Sequence, residues 1–434
     1  MTAFDELIRL MKDLEDQLIV CMKCGMCQSV CPLYAQTGRE SDVARGKLAL
    51  LDGLMKKMLD DPGGVSERLN KCLLCGSCAA ACPSGVHVMD IFIKARAILA
   101  GYMGLSPAKQ VIFRGMLAHP GLFDRLIEWG SVFQKLFTKK ASDIIGTSCA
   151  RVMSPLIGNR HFMPLAETPF HRRVPSLSTA AGVSGIRVAF FTGCLIDKLF
   201  PNISQACLRA LDWHGVGVFL PENQGCCGIP AVSSGDMKTF RQLVRHTIRI
   251  FEAEPFDYLI TACATCTSTI KKVWPVLLES DETGFREKVR RLSEKTLDIS
   301  QFLVMHTHVS PADISDSSPI RDVTYHDPCH LKKSLGVFRE PRQLIQASRG
   351  WRLTEMADPD VCCGMGGSFN LQYYEISAKI GQNKRQNIVD TGCGVIATGC
   401  PACMMQISDR LSQESDSVSV KHVIEIYAET LSQP

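Results

Sequence analysis

The sequence predicts an α+β multidomain protein, with a small helical cysteine-rich domain at the N-terminus followed by two α/β repeats that also carry cysteines. Three observations carry that prediction. Residues 21–83 hold one cysteine pattern twice. A different cysteine pattern recurs further on at an offset of 135 to 137 residues. Between the cysteines of that second pattern, short apolar runs alternate with stretches of helical periodicity.

The first pattern is Cys21-x2-Cys24-x2-Cys27-x3-Cys31-Pro32, repeated as Cys72-x2-Cys75-x2-Cys78-x3-Cys82-Pro83. A [4Fe-4S] cube takes one thiolate per iron, and a C-x2-C-x2-C loop is short enough to wrap three of its corners. In a doubled run, the fourth cysteine of each copy ligates the cluster of the other. The expected sets are therefore Cys21, Cys24, Cys27 and Cys82 for one cluster, and Cys72, Cys75, Cys78 and Cys31 for the second. Crossed ligation ties both copies into one bis-[4Fe-4S] ferredoxin-like domain, expected over residues 1–100, and the prolines end each local loop. Four thiolates also suit tetrahedral zinc, but zinc motifs seldom carry this fixed four-cysteine run ending in proline, let alone twice.

Composition agrees with a reduced intracellular protein of two to three domains. The chain has 434 residues with 48 basic and 44 acidic side chains, a net charge of +4 that is too balanced to argue for nucleic acid. Its 21 cysteines would imply disulfides in an exported protein, but the first residues, MTAFDELIRLMKDLEDQL, alternate acidic and apolar side chains without the apolar core of a signal peptide. The expected location is cytoplasmic, with peripheral attachment at the inner membrane as an extension of that reading. No apolar run is long enough to span a bilayer.

Residues 101–185 are expected to form a helical bridge and linker. Helical periodicity over 93–140 is interrupted near Ser106-Pro107 and Pro120-Gly121, and 141–185 is rich in proline and small residues. A packed bridge is the plain interpretation. Phe113, Phe123, Trp129, Phe133 and Phe137 among Lys and Arg also fit a docking surface for a partner or a membrane.

The second pattern comprises Cys194, Cys226-Cys227-Gly228 and Cys263-x2-Cys266, then Cys329, Cys362-Cys363-Gly364 and Cys400-x2-Cys403. The apolar runs 186–191, 216–220 and 257–261 precede the cysteines of the first copy, and 323–326, 351–356 and 394–398 precede those of the second. Helical patterns at 236–252, 264–278, 372–388 and 401–412 lie between them, which predicts parallel sheets with all five cysteines of each copy beyond the carboxyl ends of the strands. Gly228 and Gly364 would allow tight turns around adjacent thiolates. The expected domains are 186–310 and 320–430. Each module fits iron–sulfur, a structural zinc or a metal-free dithiol pair. Adjacent cysteines such as Cys226 and Cys227 do not easily serve one isolated zinc, which favours a multi-iron centre.

These modules resemble the cysteine-rich Cys-Cys-Gly (CCG) domains of heterodisulfide reductase. The whole order resembles the iron–sulfur subunit of glycolate oxidase and related D-lactate dehydrogenases. The resemblance covers nearly the full chain and rests on the two cysteine runs, on Ser84-Gly85-Val86, on both Cys-Cys-Gly units and on HDPCH at 326–330. It implies an electron-transfer subunit with two [4Fe-4S] clusters, inactive alone toward hydroxy acids, beside an FAD-containing hydroxy-acid dehydrogenase subunit and passing electrons to a quinone or a membrane redox acceptor. Hydride removal from carbon needs a flavin or nicotinamide, and no flavin fold is evident in this chain. In one respect the chain departs from the glycolate oxidase pattern: both five-cysteine sets are complete, as in heterodisulfide-type subunits that hold unusual iron–sulfur clusters, so reduction of a disulfide at a CCG-bound cluster is the alternative function. Cys149, Cys207 and Cys393 fall outside every set and fit packing roles. His326 and His330 flank Cys329 closely enough to tune or ligate a metal, and hydrogen bonds that orient the site are their plainer role. GMGGS at 364–368 lacks the spacing of a phosphate loop.

Overall fold

The computed structural model describes residues 3–151, 158–311 and 320–431. They form two compact units. The first comprises Met1–Ala118, Gly228–Val244 and Gly364–Ile380; the second comprises His119–Cys227, Arg245–Cys363 and Gly381–Pro434. This division differs from the expected linear order, because the residues directly after each Cys-Cys pair belong to the unit that contains the paired cysteine runs.

The first unit is helical. Helix α1 (Ala3–Met11) buries Leu7 and Met11, and the same face continues through Leu14 and Leu18. Helix α2 (Ala44–Met55) buries Leu48, Leu51 and Leu54. Helix α3 (Pro62–Asn70) starts where Asp61 accepts a hydrogen bond from the Gly64 amide at 2.9 Å, with Pro62 in its first turn. Helix α4 (Val88–Met103) is buried along most of its length, and its buried residues include one cation, Arg96.

The second unit holds the strands. A hairpin pairs β1 (Thr138–Ser142) with β2 (Thr147–Ala150). The first sheet contains β3 (Leu177–Ser178), β4 (Arg187–Phe190), β5 (Gly217–Leu220), β6 (Tyr258–Thr261) and β7 (Thr296–Asp298), in the order β3-β5-β4-β6-β7. Only β3 runs antiparallel. The second sheet has β8 (Arg321–His326), β9 (Trp351–Leu353), β10 (Val395–Thr398) and β11 (Ser419–His422), in the order β11-β10-β8-β9 and wholly parallel.

The apolar runs read as strands become β4, β5 and β6 in one sheet and β8, β9 and β10 in the other. Parallel strands buried on both faces need such continuous runs: β5 is buried at every residue. The segment expected as linker contributes β3 as an edge strand of the first sheet.

Candidate metal centres

Each C-x2-C-x2-C loop turns on the same pair of backbone positions. The residue before the second cysteine takes a left-handed conformation, at Lys23 (φ +58°) and Leu74 (φ +55°), and so does the glycine after it, at Gly25 (φ +87°) and Gly76 (φ +73°). Side chains other than glycine rarely adopt that conformation, and its recurrence at equivalent positions marks loops bent to converge their thiols.

Two cavities lie within the first unit. One is lined by Cys21, Cys24, Cys27 and Cys82. The other is lined by Cys31, Cys72 and Cys75. Cys78 borders both. The fourth cysteine of each run thus sits with the first three of the other.

The first cavity is the more open: Cys24 is exposed, and the lining residues Met22 and Met26 stand in solvent around it. The second is deeper. Burial pushes the Cys31 thiol up to about 11, opposed in part by the Tyr34 amide, and burial with the neighbouring Cys72 and Cys75 raises Cys78 well above the usual thiol range. Two cations lie buried around it. Lys47 lines the cavity and donates to the Asp42 carbonyl, while Arg96 donates to the carbonyl of Cys72 at 2.8 Å. Thiols this buried do not ionise unaided, so the donor set fits a cationic metal centre.

In the second unit all ten remaining cysteines of the repeat follow carboxyl ends of strands, and most meet. Cys194 opens helix α5 (Cys194–Leu199) after β4, with its Sγ 3.8 Å from that of Cys226. Cys227 contacts Cys266, Cys266 contacts Cys263, and Cys263 contacts Cys400 of the other module. Cys400 neighbours Cys403, whose Sγ is 3.4 Å from Cys363. Eight sulfurs therefore form one continuous series across the two modules. The Ala264 amide donates to the Gly399 carbonyl at 3.1 Å, and Thr265 Oγ1 lies 3.5 Å from Cys400 Sγ. Mutual hydrogen bonding and burial raise Cys226, Cys266 and Cys403 far above the usual thiol range. Cys329 opens its own helix after β8, and Cys362 is buried beside Cys363.

Gly228 (φ +91°) and Gly364 (φ +94°) carry the turns after the adjacent pairs, and a Cβ on Gly228 would lie 2.7 Å from the Phe240 ring. Close packing as well as the left-handed conformation therefore requires glycine there. Trp274, fully buried, donates from Nε1 to the Cys227 carbonyl at 2.9 Å. Beneath Cys194, Asp197 of α5 accepts from the His171 amide at 2.8 Å, and its carboxylate holds the His171 imidazole above the usual histidine range. Lys198 bridges Asp197 and Asp124. Because the ammonium fills that cluster, the group of Asp124, His171 and Asp197 anchors a helix rather than offering an open metal site.

Sequence reasoning missed Arg96, Lys47, Trp274, Thr265 and the Asp197 network. Arg96 alone left a signal, as a cation inside the apolar run IFIKARAILA. His87 is 81% exposed, whereas Cys207 and Cys393 are buried.

Comparison with known proteins agrees with this geometry. The sequence pattern of the 4Fe-4S dicluster domain matches residues 17–86, and that of the cysteine-rich domain matches 188–271 and 323–408. The chain is 29% identical over 94% of its length to the probable glycolate oxidase iron-sulfur subunit of Bacillus subtilis, of which it covers 92%. It is 30% identical over 94% of its length to a subunit of the CoM/CoB fumarate reductase of Methanothermobacter marburgensis, of which it covers 71%. Lactate utilization protein A of an Exiguobacterium species is 30% identical over 57% of this chain and 98% of its own length.

Proposed function

Because the chain belongs to the family of oxidoreductase iron–sulfur subunits that join a 4Fe-4S dicluster domain to two cysteine-rich domains, we propose that it is the electron-relay subunit of a flavin-dependent dehydrogenase of a 2-hydroxy acid, glycolate or D-lactate. The observation that carries this reading is the pair of cysteine-lined cavities in one helical unit, each drawing thiols from both runs. In this reading Cys21, Cys24, Cys27 and Cys82 hold one cluster, Cys72, Cys75, Cys78 and Cys31 hold the other, and the two five-cysteine sets hold further iron–sulfur. The clusters supply one-electron transfer, while the two-electron oxidation at carbon falls to a flavin on a partner. Exposed apolar Met22 and Met26 lining the open first cavity support that entrance as the approach of the flavoprotein.

The test is reconstitution. The anaerobically purified chain is expected to show no hydroxy-acid oxidation alone and to gain dye-linked activity with the flavoprotein, with iron well above about eight atoms per chain. Activity without the flavoprotein sinks the relay reading. A heterodisulfide-type reductase is the second reading, favoured by the completeness of both five-cysteine sets and their contact through Cys263 and Cys400. Disulfide cleavage with an artificial electron donor, abolished by Cys362→Ser, would support it.

Helix α6 (Pro120–Phe137) supports a membrane-bound acceptor. Its polar side faces the protein: Asp124 pairs with Lys198 at 2.6 Å, Glu128 with Arg172 at 2.8 Å, and Gln134 exchanges two hydrogen bonds with the Leu165 backbone. Its other side exposes Leu122, Leu126, Trp129, Phe133, Leu136 and Phe137 at helical spacing, Trp129 by 69% and Phe137 by 70%. Both acidic side chains of the helix turn inward, so exposed Arg125 and the Lys135–Glu167 pair at 2.7 Å are the charges beside the apolar ridge, a combination that suits the interface of a lipid surface. None of the described helices is long and apolar enough to cross a membrane. Vesicles containing phosphatidylglycerol are expected to co-sediment the chain, and the pair Trp129→Asp and Leu136→Asp to reduce this at least tenfold. Equal sedimentation of the variant would rule out this role for α6.

A further inference from the structure

We propose that His326 is a nitrogen ligand of the metal centre in the second cysteine-rich module, which makes the two modules chemically unequal. The proposal rests on the reading above that this module holds iron.

His326 ends β8, three residues before Cys329, and is 1% exposed. Its Nδ1 lies 3.1 Å from the carbonyl oxygen of Pro359. A carbonyl can only accept, so Nδ1 carries the proton and Nε2 presents a bare lone pair. That Nε2 has no hydrogen-bond partner, and a ligand atom of His326 lies with the Sγ atoms of Cys363 and Cys403 in a group whose members are all within 4.8 Å of one another. An acceptor buried without a partner is costly. A backbone carbonyl that fixes one ring nitrogen and leaves the other unpartnered, in a ring beside cysteine sulfurs, is the arrangement of metal-ligating histidines. The neighbouring charges are already matched: Asp327 is held by Arg342 at 2.8 Å and by Lys332 at 3.5 Å, and Lys384 donates to the Asp358 and Pro359 carbonyls. None of these polar groups hydrogen-bonds to Nε2.

The first module differs at this position. By the offset of the repeat, His326 corresponds to Phe191, which is fully buried and lies 6.1 Å from the ring of Phe251. The first module therefore offers an apolar ring where the second offers a nitrogen donor. Imidazole suits iron, so the second module would hold its centre with a nitrogen donor added to its five cysteines, and the first with cysteines alone.

The experiment is pulsed paramagnetic resonance on the anaerobic full-length chain labelled with 15N-histidine. A directly coupled 15N-histidine nitrogen is expected in the wild type and in His330→Gln and lost in His326→Gly, where added 15N-imidazole is expected to restore a coupled nitrogen. A resolved signal from the second module without nitrogen coupling in the wild type, which needs no variant to fold, overturns the proposal. So does coupling that survives in His326→Gly without imidazole. About eight irons per chain with no signal from either module overturns the underlying reading instead, and the proposal falls with it.

Discussion

Cys31→Ser is expected to eliminate the cluster of the second cysteine run while leaving that of its own run in place. Cys31 belongs to the first run by sequence, yet it shares a cavity with Cys72, Cys75 and Cys78. Its burial pushes the thiol up to about 11, and the neighbouring Cys72 and Cys75 add to that effect. A serine there offers a poorer and less acidic ligand at the deeper of the two cavities. The expected loss is about four irons per chain. Spectra of Cys72→Ser and Cys21→Ser supply the references. Cys31→Ser should match the first of these and Cys82→Ser the second, because Cys82 lines the cavity of Cys21, Cys24 and Cys27. A match in the opposite sense would refute crossed ligation and return each run to its own four cysteines.

The convergence of the first three thiols of each run was legible because ligand spacing is local chemistry: thiols three residues apart on one bent loop reach one small object. The strands were legible for a related reason, since parallel strands buried on both faces must be short and largely apolar, as 217–220 and 258–261 are. What spacing could not convey was partnership between distant segments. The residues after each Cys-Cys-Gly join the unit of the paired runs, through Gly235 packing against α4, where a Cβ would lie 2.6 Å from the Arg96 carbonyl, and through Gly366, where a Cβ would lie 3.1 Å from Leu73. Nothing near Gly235 in sequence signals this. Contact between the two cysteine-rich modules through Cys263 and Cys400 was equally hidden, because it depends on how one sheet edge faces another. The inward polar face of α6 was hidden too: its aromatic residues were visible among the basic ones, but the partners that turn Asp124 and Glu128 inward are Lys198 and Arg172.

Arg96→Met is expected to destabilise the first unit by about 3–5 kcal/mol and to lose the cluster of the second run with it. The guanidinium is 4% exposed and donates to three carbonyls: Ser233 at 2.9 Å, Cys72 at 2.8 Å, and Leu69 at the end of α3. Burial works against its charge, and the neighbouring Cys72 is the strongest influence in its favour. The side chain therefore joins three segments of the unit: α4, the start of the second cysteine run, and the 228–244 insertion. Methionine fills similar volume but leaves those carbonyls without a donor and removes a cation from beside a thiolate ligand. Lysine should not rescue it, since one ammonium cannot reproduce the planar fork that reaches three acceptors. Arg114 is the control, because it is 44% exposed and its 3.4 Å pairing with Asp236 should contribute less than about 1 kcal/mol. If anaerobic denaturation and iron content of Arg96→Met fall with those of Arg114→Met, the guanidinium is not what holds Cys72 in place.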